Sequence, residues 1–168
     1  PLRLAINGYG RIGRCFLRAL LESPVAHNLQ VVAINEPANL ESMAYLTRYD
    51  STHGRFPGQV DFGDGQLLVD GRPISVSHAR TPEEVDWRAL EIDLIVESSG
   101  YYGRRPELTR FLEAGCPRLL LSHPGFSASD VDATIVNGIN QHTLSGNERL
   151  VSAASCTTNA IVPILDLL

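Results

Sequence analysis

Apolar positions in this chain fall into short runs divided by turn residues, and the runs alternate between strand-like and helix-like spacing. Residues 2–7 read as a short apolar strand. Residues 30–36 read as a second, with an unbroken apolar stretch over 31–34. An apolar run without alternation is what a parallel strand shows when both its faces are covered. Between the two, Ile12, Phe16, Leu17, Ala19 and Leu20 lay a broad apolar stripe along a helix over residues 12–21. A further helix is predicted over 40–46. From Phe56 to Ser77 the character changes. Gly63-Asp64-Gly65 and Asp70-Gly71 are turn signals between strands 59–62, 66–69 and 74–76, which predicts a small antiparallel excursion. Helix returns over 82–90, with Thr81 as its cap and Glu83 and Glu84 in the first turn. Residues 93–97 form a third clear parallel strand. Residues 106–114 are helical and stop at Gly115, and 118–121 and 133–136 are further strands. A last strand, 148–152, leads into Cys156 and an apolar run. The alternation predicts an α/β fold, a doubly wound, mostly parallel Rossmann-type sheet with that antiparallel excursion.

Composition narrows the chemistry. A length of 168 residues with 43% hydrophobic content suits one domain with a substantial core. The net charge of −5 gives no reason to expect nucleic acid or an anionic membrane as partner. All 14 basic residues are arginine, so Schiff-base and Walker-type lysine chemistry is excluded. Cys15, Cys116 and Cys156 are too scattered for a disulfide framework or a zinc site, and no metal is expected. Neither a signal segment nor a long apolar span is visible, which makes a soluble, cytoplasmic protein the expectation. Pro1 in place of an initiator methionine points to processing or trimming.

Two places carry candidate chemistry. Gly8-Tyr9-Gly10-Arg11-Ile12-Gly13 lies at a strand-to-helix junction. Gly8 would allow the tight turn, Gly10 the approach of backbone to a pyrophosphate, and Gly13 close packing of helix on strand. The helix N-terminus would then hold the phosphates. Glu36, at the end of the second strand, can accept hydrogen bonds from ribose hydroxyls and would repel the extra phosphate of NADP, which favours NAD. A solvated strand-end acid is the alternative. Ser99 and Ser122 end later strands at the same edge, either as cofactor contacts or as loop-satisfying hydroxyls. The second place is Ser155-Cys156-Thr157-Thr158-Asn159. Ser155 would cap a helix starting near Cys156, whose N–H groups favour an anion and could stabilise an oxyanion. Cys156 is either a nucleophile or a buried small side chain; Cys15 and Cys116 read as structural. His53 and His123 are loop candidates for a base, but neither is convincing.

Four words run in order along nearly the whole chain: residues 5–14 around the glycines, Val32-Ala33-Ile34-Asn35-Glu36, Tyr49-Asp50-Ser51-Thr52-His53-Gly54-Arg55-Phe56, and Ser155 to Asn159. By these the chain resembles the N-terminal portion of the glyceraldehyde-3-phosphate dehydrogenase superfamily. Ile34-Asn35-Glu36, Leu121-Ser122-His123-Pro124-Gly125 and Asp132-Ala133-Thr134 are most similar to its D-erythrose-4-phosphate dehydrogenase branch. The resemblance implies that Asn7, the glycines, Arg11, Ile12, Glu36, Arg80, Ser99 and Ser122 surround NAD. It implies Cys156 as the catalytic thiol, with Ser155 and Thr157 in the substrate and phosphate pocket. Ala160 stands where a second, non-nucleophilic cysteine is common in the family. The base and phosphate-binding arginines would come from a following catalytic domain, so the expected division is 1–152 for NAD binding and 153–168 for the opening of a truncated second domain. On this reading the isolated chain is inactive, and its parent is a homotetramer oxidising a phosphorylated aldose toward pyridoxal phosphate biosynthesis. A phosphorylating glyceraldehyde-3-phosphate enzyme and a standalone NAD-binding module are the alternatives.

Overall fold

The computed structural model describes residues 1–24 and 27–168. The order begins β1 (Leu2–Asn7), α1 (Arg11–Glu22), β2 (Leu29–Asn35) and α2 (Leu40–Arg48), then a two-stranded ribbon, β3 (Tyr49–Asp50) with β4 (Gly54–Arg55). Next come β5 (Val60–Gly63), β6 (Gln66–Val69) and β7 (Arg72–Ser77), paired antiparallel in succession. They are followed by β8 (Leu94–Glu97), α3 (Arg105–Glu113), β9 (Leu119–Leu121), β10 (Ala133–Thr134), β11 (Leu150–Ser152) and α4 (Cys156–Leu165). Nine strands form one sheet in the order β10-β11-β9-β8-β1-β2-β7-β6-β5. The antiparallel excursion is therefore not a separate sheet. Its last strand, β7, pairs parallel with β2 and continues the main sheet outward.

This is the doubly wound α/β arrangement expected from the alternation. β1 pairs parallel with both β2 and β8, so the chain leaves in one direction from β1 and resumes on its other side at β8. A crevice opens at the carboxyl ends of strands where the order reverses in this way. Alternation along β1 splits the core: Leu4 and Ile6 join a layer with Leu17, Ile34, Met43 and Leu67, whereas Ala5 joins Ile95, Leu108, Phe111 and Leu119 on the other face. The unbroken apolar stretch in β2 also hides a bulge. Leu4 pairs with Val31 but Ala5 with Ala33, leaving Val32 extra, and Val32 and Ala33 both pack into the second layer.

One expected helix does not form. Residues 82–90 contain only a 3-10 turn, Pro82–Glu84, which ends at Val85 in extended backbone. Trp87 is buried, and its indole N–H donates to the Pro82 carbonyl at 2.8 Å, occupying an acceptor that a helix would have used. Burying so large a side chain is worth about 1.5–3 kcal/mol, whereas helix propensities differ by only about 0.7 kcal/mol per residue. Thr81 makes no cap; its hydroxyl donates to Glu84 Oε1, while Glu84 Oε2 accepts the Arg80 N–H.

Candidate functional site: a cleft at the reversal of strand order

The glycine turn joins β1 to α1. Gly8 has φ +88°, and a methyl group there would overlap the backbone of Ser99 in the loop after β8. Ser98 Oγ donates to the Gly8 carbonyl at 2.7 Å, locking the two loops together. Gly13 faces the same carbonyl from the first turn of α1, so helix and turn touch backbone to backbone. Gly10 differs: among the described residues, none beyond its chain neighbours has an atom within 4 Å of where its Cβ would stand. Gly10 is also the N-cap of α1 and supplies no side-chain cap. The first N–H groups of that helix are thus left for an anion from outside. Tyr9 anchors the turn from below. Its ring is buried, its hydroxyl bonds Thr47 Oγ1 at 2.8 Å, and burial pushes its pKa up to about 12.

A cleft of about 670 Å³ opens beside this turn. Asn7, Gly8 and Gly10 form one wall, Asn35, Glu36 and Pro37 a second, Ala79 and Arg80 a third, and Ser98, Ser99, Tyr101 and Tyr102 a fourth. These groups come from the carboxyl ends of β1, β2, β7 and β8. Glu36 Oε2 accepts the Tyr9 N–H at 2.6 Å and Oε1 accepts the Ala38 N–H at 3.1 Å. Each carboxylate oxygen keeps a further lone pair for a hydroxyl donor in the cleft. The donor set suits a nucleotide: open glycine backbone for phosphates, a carboxylate for a diol, and tyrosine rings for a flat base.

Of the residues expected around a nucleotide, Asn7, Gly8, Gly10, Glu36, Arg80 and Ser99 come together in the cleft. Arg11, Ile12, Gly13 and Ser122 are not among its walls. Arg11 turns its guanidinium to Asp50 Oδ2 at 3.0 Å and to Ser51, and Ile12 is 54% exposed. Gly13 serves packing, and the Ser122 N–H donates to the Glu97 carbonyl as β9 ends. Tyr101 and Tyr102 join the walls without having been among the expected residues; two aromatic residues directly after a Ser-Ser-Gly strand exit fall on the loop edge where α/β sheets bind ligands.

Cys156 stands apart at the first residue of α4 and is exposed. Ser155 caps this helix as expected, its Oγ accepting the Thr158 N–H at 3.0 Å. Ser155 Oγ also meets the hydroxyls of Thr157 at 3.1 Å and Thr158 at 2.7 Å. The turn from β11 into α4 passes through Ala154, buried and at φ +62°, a left-handed conformation unusual for a residue with a side chain. Asn159 ties the turn from above by donating to the Ala153 and Ser155 carbonyls. Among the described residues, no histidine hydrogen-bonds to the Cys156 thiol.

A family model described as glyceraldehyde 3-phosphate dehydrogenase, NAD binding domain, matches residues 2–105, more than half of the chain. The chain belongs to this family. The matched stretch holds every wall of the cleft, so the cleft lies within an NAD-binding module of an oxidoreductase family. Ser122 and the Ser155–Cys156–Thr157 turn lie beyond the matched stretch.

Proposed function

We propose that this chain provides the NAD site of a D-erythrose-4-phosphate dehydrogenase and that Cys156 is its nucleophile. The observation that carries the cofactor reading is the cleft itself, with Glu36 at its rim beside the uncapped start of α1. Glu36 receives the adenosine ribose hydroxyls, and its charge disfavours the 2′-phosphate of NADP. Gly8, Gly10 and the first N–H groups of α1 receive the pyrophosphate, flanked by Arg11, Ile12 and Gly13. Asn7, Arg80 and Ser99 line the remaining walls, and Ser122, at the end of β9 and outside these walls, would meet the cofactor only where it extends past the cleft.

When bound, NAD supplies the hydride acceptor. This chain's residues do the rest of the covalent work. Cys156, deprotonated by a base outside the cleft, adds to the aldehyde carbon. N–H groups at the start of α4 hold the resulting oxyanion, while Ser155 and Thr157 orient the substrate and its phosphate. With NAD bound as acceptor, the thiohemiacetal on Cys156 would become a thioester, which water would cleave to 4-phosphoerythronate, returning the thiol. The substrate assignment rests on Glu36 together with residues 121–125 and their likeness to the erythrose-4-phosphate branch. The family description itself favours a second reading, in which inorganic phosphate cleaves the thioester of glyceraldehyde 3-phosphate.

Protein expressed from the complete reading frame separates the two when assayed with both aldehydes, with and without phosphate. Preference for erythrose 4-phosphate without a phosphate requirement is expected. Preference for glyceraldehyde 3-phosphate with a strict phosphate requirement would sink the first reading.

A further inference from the structure

Beneath the cleft, a row of buried polar side chains crosses four strands. The Ala79 N–H and Ser77 Oγ donate to Asn35 Oδ1, each at 2.9 Å, and Asn35 Nδ2 donates to the Ala79 carbonyl at 3.1 Å. Asn35 Nδ2 also donates to Asn7 Oδ1 at 2.8 Å, and Asn7 Nδ2 donates to Glu97 Oε2 at 2.5 Å. From the far side, the Ser99 N–H donates to Glu97 Oε1 at 2.8 Å, and the Ser99 hydroxyl meets the same oxygen. Asn7, Asn35 and Glu97 are all buried, and Glu97 has no exposure at all.

The direction of this ladder is not free. A backbone N–H can only donate and a backbone carbonyl can only accept, so Ala79 dictates which way the Asn35 amide faces. Asn35 then dictates Asn7, which turns its NH₂ toward Glu97. The Ser99 N–H approaches from the opposite side. Both ends therefore deliver donors, and the residue between them must accept with both oxygens. Asn, Gln, Ser and Thr each lack one acceptor or bring a donor; only a carboxyl group of this length serves.

We propose that Glu97 is the positioning residue of the cleft: as common acceptor of Asn7 and Ser99, it holds the 98–100 loop against the Gly8 turn and so sets nucleotide affinity without touching the ligand. The proposal rests on the NAD reading of the cleft. Glu97→Gln sets its NH₂ against a donor in either rotamer, and Asn7→Asp sets a carboxylate against a carboxylate. Asn7→Asp combined with Glu97→Gln restores a consistent ladder. The amide introduced at position 97 then donates to the carboxylate introduced at position 7, while its oxygen still serves Ser99.

Thermal unfolding of the 168-residue chain as wild type, both single variants and the double variant tests the ladder. E97Q should lower the midpoint by roughly 4–8 °C, with the double variant recovering above both singles. A double variant no better than the sum of the singles overturns the ladder. If E97Q fails to fold, a folded double variant supports it and an unfolded one overturns it. Calorimetric titration with NAD tests positioning: folded E97Q should bind about ten-fold more weakly than wild type. Equal affinity overturns the positioning role. A wild-type chain that binds no NAD overturns the cofactor reading and the positioning role with it, while the unfolding cycle still judges the ladder.

Discussion

Two of the three thiols of this chain, Cys116 and Cys156, show how far surroundings rather than residue type decide chemistry. Cys116 is buried behind α3 with its thiol donating to the Arg118 carbonyl at 2.9 Å, and burial pushes its pKa from 9.0 up to about 12. Cys156 is exposed at the start of α4. Iodoacetamide at pH 8 should therefore label Cys156 in the native protein and Cys116 only after unfolding, as peptide mass mapping would show. Because the buried Cys116 thiol resists ionisation in the folded protein, the stability it contributes is complete below pH 9 and disappears as pH rises toward 12. Cys116→Ala should flatten the loss of stability in that window, measured as urea midpoints at stepped pH. The structural reading of Cys116 was legible from its place between Gly115 and Pro117. Glu97 was less so: a strand-end glutamate looks alike in sequence whether it faces water or anchors a buried ladder.

At the scale of elements, the caps and turns carry the information. Ser155 as N-cap of α4 was legible, because a short hydroxyl side chain before an apolar run has one favoured use. Ser155→Ala should cost about 1 kcal/mol of stability, read from urea unfolding, by leaving the Thr158 N–H without its partner. The left-handed Ala154 was not legible, since nothing in Ala153-Ala154 requires a positive φ. It accompanies the hydrogen bond from the Ala154 N–H to Ser152 Oγ at 3.0 Å, just past the pairing of β11 with β9. The residues after Thr81 misled in the opposite way. They carry helix-start signals, yet burial of Trp87 and its bond to the Pro82 carbonyl hold the segment open. Glu83 of this segment also pairs with Arg110 of α3 at 2.6 and 2.8 Å, which holds the Glu83 carboxyl near 2, well below the usual range.

Across the whole molecule, the two halves of the sheet meet at Gly8. With φ +88° and the Ser99 backbone directly against it, Gly8→Ala should strain the turn by about 1–2 kcal/mol from conformation alone. Overlap with Ser99 adds to that, so a lowered unfolding midpoint together with weakened NAD binding is expected by calorimetry. The alternation of strands and helices, the glycine turn, the strand-end Glu36 and the antiparallel excursion all followed from sequence. Each depends on local periodicity or on the conformational demands of single residues, which neighbours along the chain reveal. The walls contributed by Ala79, Tyr101 and Tyr102 did not follow, nor did the turning of the Arg11 guanidinium to Asp50. These depend on which strands lie side by side, and Asn7 and Glu97 are 90 positions apart in the chain yet share a hydrogen bond. Sequence alone thus determined the kind of fold and the kind of ligand. Only the tertiary structure decided which residues converge on the cleft, because pairing β1 with β8 is a long-range choice made by the packing of two cores.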